Sequence, residues 1–269
     1  MNRGKLLDCI TFFDNNFMFE IRYNILRDYI DYFVICESKF DHKGKPKKQN
    51  FIWKDDYDKR QIKHILMEKP FPEPTNRWKN QAIQREFILE NLSFASDEDY
   101  IFFSDPDEIV RPDLLKNFTL NQKFGIFLQN CFNYKFNLFN PYESPWEGTR
   151  VARKKDVKSI DYMRHKIRMK NLKYSFFRFD KEKRIEIFHN AGWHFNNVMS
   201  IEKISTKLKT FAHSEFSGDE FSSEEVIRKK IENKIDLFNR GHTYKILKMD
   251  HRFPEYLLKN YEKYKNFIL

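Results

Sequence analysis

The chain is short of the residues that mark several protein classes. Only 7 glycines and 9 prolines occur in 269 residues, which excludes collagen-like and low-complexity sequence. No apolar run approaches the roughly 18 residues that cross a bilayer, so no transmembrane segment is expected. The first residues are basic and then apolar, but Asp8 interrupts them and no small-residue cleavage site follows, so no signal peptide is expected either. The three cysteines (Cys9, Cys36 and Cys131) are odd in number and far apart, and the first two sit in apolar runs. They are expected to be reduced, buried thiols, as in a cytoplasmic protein. Also missing are a phosphate-binding loop, a dinucleotide fingerprint, Gly-x-Ser-x-Gly, His-Glu-x-x-His and Cys-x-x-Cys. P-loop enzymes, Rossmann oxidoreductases, serine hydrolases of that type and zinc sites of those spacings are thereby set aside.

What is abundant is apolar and aromatic: 41% hydrophobic residues, 17% aromatic, with 29 phenylalanines. Such a chain buries a substantial core and is not disordered. The formal charge of +10 is local rather than general. Residues 150–184 hold 14 Lys/Arg against 4 Asp/Glu, and the remaining 35 basic and 35 acidic residues cancel. In that segment Tyr162, Tyr174, Phe176, Phe177 and Phe179 alternate with Arg164, Lys166, Arg168, Lys170, Lys173 and Arg178. Interleaving of this kind also grips single-stranded nucleic acid, so a non-catalytic nucleic-acid-binding protein is the alternative function. An anionic sugar nucleotide or a membrane surface suits the segment better.

Apolar runs at 6–13, 31–38, 62–67 and 100–103 read as strands, and the stretches 19–27 and 77–92 as helices. Trp78, Ala82, Ile83, Phe87 and Ile88 give the second helix its apolar face. Pro112 opens a short helix to 118. The alternation predicts an α/β fold, with a mostly parallel central sheet and helices on both faces. The C-terminal half is less regular. It has long β structure over 124–139, a strand at 184–188, a helix over 200–212, and a Ser222-x-x-Glu225 capping box opening a helix to 239. With no repeat and no linker, one domain over 1–269 is expected, its ligand-binding half 1–120 and its second half 121–269.

The motif with most chemistry is Asp105-Pro106-Asp107-Glu108, directly after the strand at 100–103. Ligands of open α/β sheets bind beyond the carboxyl ends of the strands. Three carboxylates so close need a counter-ion, and a hard divalent cation with oxygen ligands supplies one. The alternative is a helix N-terminus decorated with acids. Asp56-Tyr57-Asp58 and Asp97-Glu98-Asp99 repeat the pattern without a preceding apolar strand.

Leu7-Asp-Cys-Ile-Thr-Phe-Phe-Asp14 with Glu20 and Leu26, and then Phe33-Val-Ile-Cys-Glu-Ser38, resemble the opening of glycosyltransferase family 17. This is the family of β-1,4-mannosyl-glycoprotein β-1,4-N-acetylglucosaminyltransferases and their microbial relatives. Gln84-Arg85, Phe102-Phe-Ser-Asp-Pro-Asp-Glu-Ile109, Gly192-Trp-His-Phe195, and Lys207 with Phe211-Ala-His-Ser-Glu215 are similar to its later blocks, in the family's order. Asn196-Asn197-Val198 departs from the small residue and glycines often found there. The resemblance implies a GT-A-type nucleotide-sugar fold and a metal-dependent, inverting transfer from a UDP-sugar, usually UDP-GlcNAc, to a glycan or glycoconjugate acceptor. It implies no nucleic-acid partner, and peripheral membrane contact is compatible with it. Asp105 and Asp107 would hold Mn²⁺ (or Mg²⁺) and diphosphate, with Glu108 supporting them. Phe12 and Glu37 would lie by the nucleotide, and Arg85 would pair with a carboxylate or a phosphate. A C-terminal contact falls to His194 or His213, with His213 placed at the metal and His194 at the nucleotide sugar while the two remain open. Glu147 and Glu215 are candidates for the base that takes the acceptor proton.

Overall fold

The computed structural model describes residues 4–73, 75–210 and 218–269. The chain forms two compact units, one of residues 1–129 and 147–192, the other of 130–146 and 193–269. No helix among the described residues is long and apolar enough to cross a membrane.

The first unit is built on strands that are buried along nearly their whole length. β1 (Leu6–Phe12), β2 (Tyr32–Ser38) and β4 (Tyr100–Ser104) are apolar runs with hardly an exposed position. Strands of this kind need cover on both faces and pair in parallel. β1 lies between β2 and β4, parallel to both, with Leu7 opposite Tyr32 and Leu6 opposite Tyr100. β3 (Ile62–Met67) adds in parallel outside β2. α1 (Asn16–Leu26) links β1 to β2, and α2 (Arg77–Glu90) links β3 to β4. The short β5 (Glu108–Val110) follows β4 after a turn. β6 (Phe124–Asn133), β7 (Leu138–Phe139) and β8 (Trp146–Arg153) come next, and β8 runs antiparallel to β4. α3 (Ile160–Lys166) and β9 (Ile185–Phe188) complete the unit, β9 pairing in parallel with the first part of β6. Leu7, Cys9, Val34, Cys36, Ile101, Phe103, Ile126 and Ala152 form its main core with Ile88 of α2 and Ile160 and Met163 of α3.

The second unit takes the end of β6 and pairs it in parallel with β10 (Gly192–Asn196), His194 lying opposite Cys131. α4 (Ile201–Thr210), α5 (Asp219–Ser222), α6 (Glu224–Glu232), β11 (Lys245–Ile246), α7 (Glu255–Lys259) and α8 (Tyr261–Tyr264) follow. Ile204 and Leu208 of α4 pack with Ile227 of α6, Leu138, Leu237 and two tyrosines, Tyr134 and Tyr244. Asn137 fastens the last residue, accepting from the Leu269 amide at 2.9 Å and donating to its carbonyl at 2.8 Å.

Several expectations change in detail. The strands and long helices fall where apolar periodicity puts them, but the buried face of α2 is mostly polar: Asn80, Gln84 and Arg85 face inward beside Ile88, while Trp78 is exposed. The cause is local. Asn80 donates to the His42 carbonyl at 3.0 Å and Gln84 to the Cys36 carbonyl at 2.8 Å, so these side chains satisfy backbone groups that the sheet end and its loop leave over. The helix after Pro112 is a single 3-10 turn, Pro112–Leu114. The β structure over 124–139 breaks at Tyr134, whose φ is 66°. The helix expected to start from Ser222 has Ser223 at its cap, with no side-chain cap bond, and stops at Glu232, well before Gly241. Gly192 has φ 143°, and a Cβ there would lie 2.1 Å from the Ile109 carbonyl oxygen, so only glycine fits. All three cysteines are buried and outside any disulfide, and burial raises the thiol pKa of Cys9 and, to about 12, of Cys36, leaving both inert.

Glu37, at the end of β2, ties down the loop that runs from β2 towards β3. Its carboxylate is fully buried and accepts from Lys47 Nζ at 2.7 Å, the Asn50 amide at 2.5 Å, the Phe51 amide at 3.2 Å and His64 Nε2 at 3.1 Å. Burial alone would raise its pKa, but the bonds from His64, Lys47 and Asn50 outweigh burial and hold it at about 2. A depressed carboxylate stabilises the fold above its unfolded pKa, and that stability is lost as pH falls towards the folded value. Glu37 should therefore contribute fully at neutral pH and progressively less from about 4.5 down to about 2. Urea unfolding at pH 7, 4 and 3 should show Glu37→Gln less stable at pH 7 and with a flatter decline over that window. Parallel pH profiles for the two proteins would refute this role.

Candidate active site

The acid motif forms the turn between β4 and β5. Asp105 at its first position and Pro106 at its second are residues such turns favour, and the Glu108 amide closes it by donating to the Asp105 carbonyl at 3.0 Å. The Glu108 side chain folds back to accept from the Asp105 amide at 3.1 Å. The motif is thus a strand-end turn rather than a helix N-terminus. Its three carboxylates are not equivalent. Glu108 is fully buried, the Asp105 side chain is 34% exposed, and Asp107 is half-buried.

Arg164 of α3 is the counter-ion for this turn. Its guanidinium grips Glu108 bidentately, Nη1 to Oε2 at 2.9 Å and Nη2 to Oε1 at 2.6 Å. Nη2 also donates to Asp105 Oδ2 at 2.7 Å, and Nη1 to the Gly148 carbonyl at 2.8 Å. Burial works against its charge, but Asp105 and Glu108 outweigh burial, and its pKa is raised. Glu108 is held from its main chain as well: buried Arg22 of α1 donates to its carbonyl at 2.5 Å while pairing with Asp8 of β1.

α2 positions α3. Glu86 accepts from the Ser159 hydroxyl at 2.7 Å and from the Asp161 amide at 2.9 Å, and Ser159 caps the helix by accepting from the Tyr162 amide at 2.9 Å. Next to Glu86, Arg85 pairs with Asp161 at 2.8 Å and lies 3.9 Å from Asp105 Oδ1. Arg85 Nη1 also donates to His165 Nε2 at 2.6 Å. An imidazole nitrogen that accepts is unprotonated, and burial together with the Arg85 charge lowers the His165 pKa. Glu147, at the start of β8, accepts from Arg150 at 3.2 Å and from the Met169 amide at 3.1 Å. Buried Arg150 also donates to the Gly148 carbonyl, the same oxygen that anchors Arg164. Burial and the nearby Arg164 push its pKa down.

Asp105, Asp107, Glu108 and Arg85 are therefore gathered in one unit, and Glu147 joins them through Gly148, Arg150 and Arg164. Phe12 and Glu37 are opposite one another at the ends of β1 and β2. Both are buried, Phe12 edge-on to Phe51 at 5.5 Å and Glu37 anchoring its loop. His194 belongs to the second unit, 7% exposed, its ring 4.8 Å from Trp146 and its Nδ1 3.7 Å from Cys131 Sγ. His213 and Glu215 lie outside the described residues. The other acidic repeats are structural or on the surface: Asp99 accepts from the Lys5 and Ser96 amides, and Asp58 pairs with exposed Arg60. Among the described residues no three His, Cys, Asp or Glu side chains are gathered as a protein-only metal site. The residue that sequence reasoning passes over is Arg164, visible only as one member of a basic segment.

A family model described as glycosyltransferase family 17 matches residues 1–269. Among curated proteins none matches. Solved structures resemble the chain only faintly. HddC from Yersinia pseudotuberculosis is 9% identical with a TM-score of 0.36, covering 69% of this chain and 90% of its own. The glycosyltransferase GlyE of Streptococcus pneumoniae TIGR4 is 11% identical with a TM-score of 0.33, covering 70% of this chain and 45% of its own. The inositol-1-phosphate CTP transferase from T. maritima is 13% identical with a TM-score of 0.32, covering 71% and 88%. Likeness at that level says nothing about activity. The family match spans every residue, including the acid turn and the arginine that seals it, and on that ground the chain belongs to glycosyltransferase family 17 and is a glycosyltransferase.

Proposed function

We propose that the enzyme is a GT-A-type, metal-dependent, inverting transferase that moves GlcNAc from UDP-GlcNAc to a glycan or glycoconjugate acceptor. The observation that carries this reading is the inequality of the three carboxylates on the β4–β5 turn. Glu108 is sealed against Arg164, whereas Asp105 and Asp107 remain accessible at the carboxyl end of a buried parallel strand. Asp105 and Asp107 present carboxylate oxygens there, while Arg85 also pairs with Asp161 and Arg150 with Glu147. The all-oxygen donors fit a hard dication whose shell diphosphate oxygens can complete. When bound, Mn²⁺ or Mg²⁺ would offset the charge that develops on departing UDP.

The protein's own part is to hold that turn fixed and to manage the acceptor proton. Arg164 and Arg22 fix Glu108, and through it the backbone between Asp105 and Asp107, so little reorganisation is needed when an anion arrives. Inversion requires single displacement: the acceptor oxygen bonds to the anomeric carbon as the bond to the UDP oxygen breaks, and the hydroxyl proton goes to a base. We assign that base to Glu147, whose Oε2 is engaged by Arg150 and Met169, with Oε1 as the oxygen to receive the proton. The family supports a nucleotide-sugar donor and a glycan acceptor, while GlcNAc and Mn²⁺ come from the family resemblance.

A screen of UDP-sugars with and without Mn²⁺ tests this. UDP release should require the metal and be fastest with UDP-GlcNAc. Asp107→Ala should lower it by about 100-fold or more and remove the thermal shift given by UDP plus Mn²⁺. Glu147→Gln should lower transfer but leave that thermal shift intact. Metal-independent turnover, or full activity in Asp107→Ala, would overturn the metal assignment, and faster release from another UDP-sugar would replace the donor.

A further inference from the structure

Phe176, Phe177 and Phe179 are 76%, 79% and 82% exposed, on a loop of the first unit between α3 and β9. Tight turns splay them outward: the Arg178 amide donates to the Ser175 carbonyl at 3.0 Å, Phe179 to Phe177 at 3.0 Å and Lys181 to Arg178 at 3.1 Å. The Phe176 ring stands 6.3 Å from both other rings, edge to face, so the three form one apolar tip rather than separate platforms. Hydrating three neighbouring phenylalanines is unfavourable, and a clustered apolar patch of this kind marks a docking surface. Around the tip, residues 170–184 carry 6 Lys/Arg against 2 Asp/Glu.

We propose that this loop is a peripheral membrane-docking element, with Phe176, Phe177 and Phe179 entering the headgroup–acyl boundary of an anionic bilayer and the surrounding Lys and Arg meeting its phosphates. Stable interfacial attachment takes two signals, an apolar insertion and a basic patch, and both are here within 15 residues of sequence. The geometry favours a bilayer over nucleic acid. Base stacking needs ring faces spaced along a groove, whereas these rings turn their edges on one another. Phenylalanine also has no polar edge to hold at a wet surface, and its rings suit the acyl boundary. The proposal is independent of the identity of donor and acceptor.

Co-sedimentation of the full chain with vesicles tests it, using phosphatidylcholine alone and phosphatidylcholine with about a third phosphatidylserine. Binding should be several-fold greater on the anionic vesicles and should fall as salt rises. Phe176→Ser with Phe177→Ser and Phe179→Ser should reduce it at least about tenfold without changing thermal unfolding, since the rings are solvated in the free protein. Lys170→Glu with Lys173→Glu should abolish the preference for phosphatidylserine. Failure of the wild type to bind either vesicle would overturn the proposal, as would undiminished binding by the triple variant. Phenylalanine-dependent capture of a single-stranded oligonucleotide, with no capture by vesicles, would also overturn it.

Discussion

The bidentate pair between Arg164 and Glu108 is the interaction on which the geometry of the acid turn depends. Both groups are sealed from water, so neither charge is tolerable without the other, and the guanidinium has donors left for Asp105 and for the Gly148 carbonyl. One side chain thus connects the β4–β5 turn, β8 and α3. It also sets the division of labour among three adjacent carboxylates. The buried one is structural, and the other two stay accessible at the strand end.

The rest of the first unit supports that pair in layers. Parallel pairing sets Ser104, the last residue of β4, opposite Ile10 of β1, and Arg22, paired with Asp8 of β1, donates to the Glu108 carbonyl. α2 spends its inward face on polar work, with Gln84 and Asn80 closing loop carbonyls and Arg85 and Glu86 fixing the start of α3. A helix register set by hydrogen bonds in this way places the α3 guanidinium more narrowly than apolar contact alone. The same logic applies at Glu37, where four donors stabilise a buried charge and close a long loop.

Much of this architecture was legible in the sequence, and the gaps have physical causes. Strands such as 6–12 and 100–104 read clearly because a strand buried on both faces is a continuous apolar run. The acid turn was legible as a cluster at a strand end. The polar face of α2 was not, because hydrophobic periodicity ignores residues buried for hydrogen bonding; Trp78, the most apolar residue near its start, is exposed. Arg164 was hidden for a related reason: its partner Glu108 is 56 residues away, and a counter-ion pairing is a tertiary fact. The basic segment looked like a single field, yet it divides into buried arginines beside the acid turn, Arg150 and Arg164, and an exposed tip around Phe176–Phe179. The Ser222 capping box failed because a neighbouring serine took the cap position, a shift of one residue that composition does not resolve.

If Arg164 is the fixed counter-ion of the acid turn, its worth should depend on the charge it neutralises. The most direct measurement is a double-mutant cycle in unfolding free energy with Arg164→Met, Glu108→Gln and the pair. Arg164→Met alone should be strongly destabilising, by about 3–5 kcal/mol, because it strands a buried carboxylate. Adding Glu108→Gln should recover part of that loss, giving a coupling of about 2 kcal/mol or more. Strictly additive effects would show that the two charges do not depend on one another and would contradict the account.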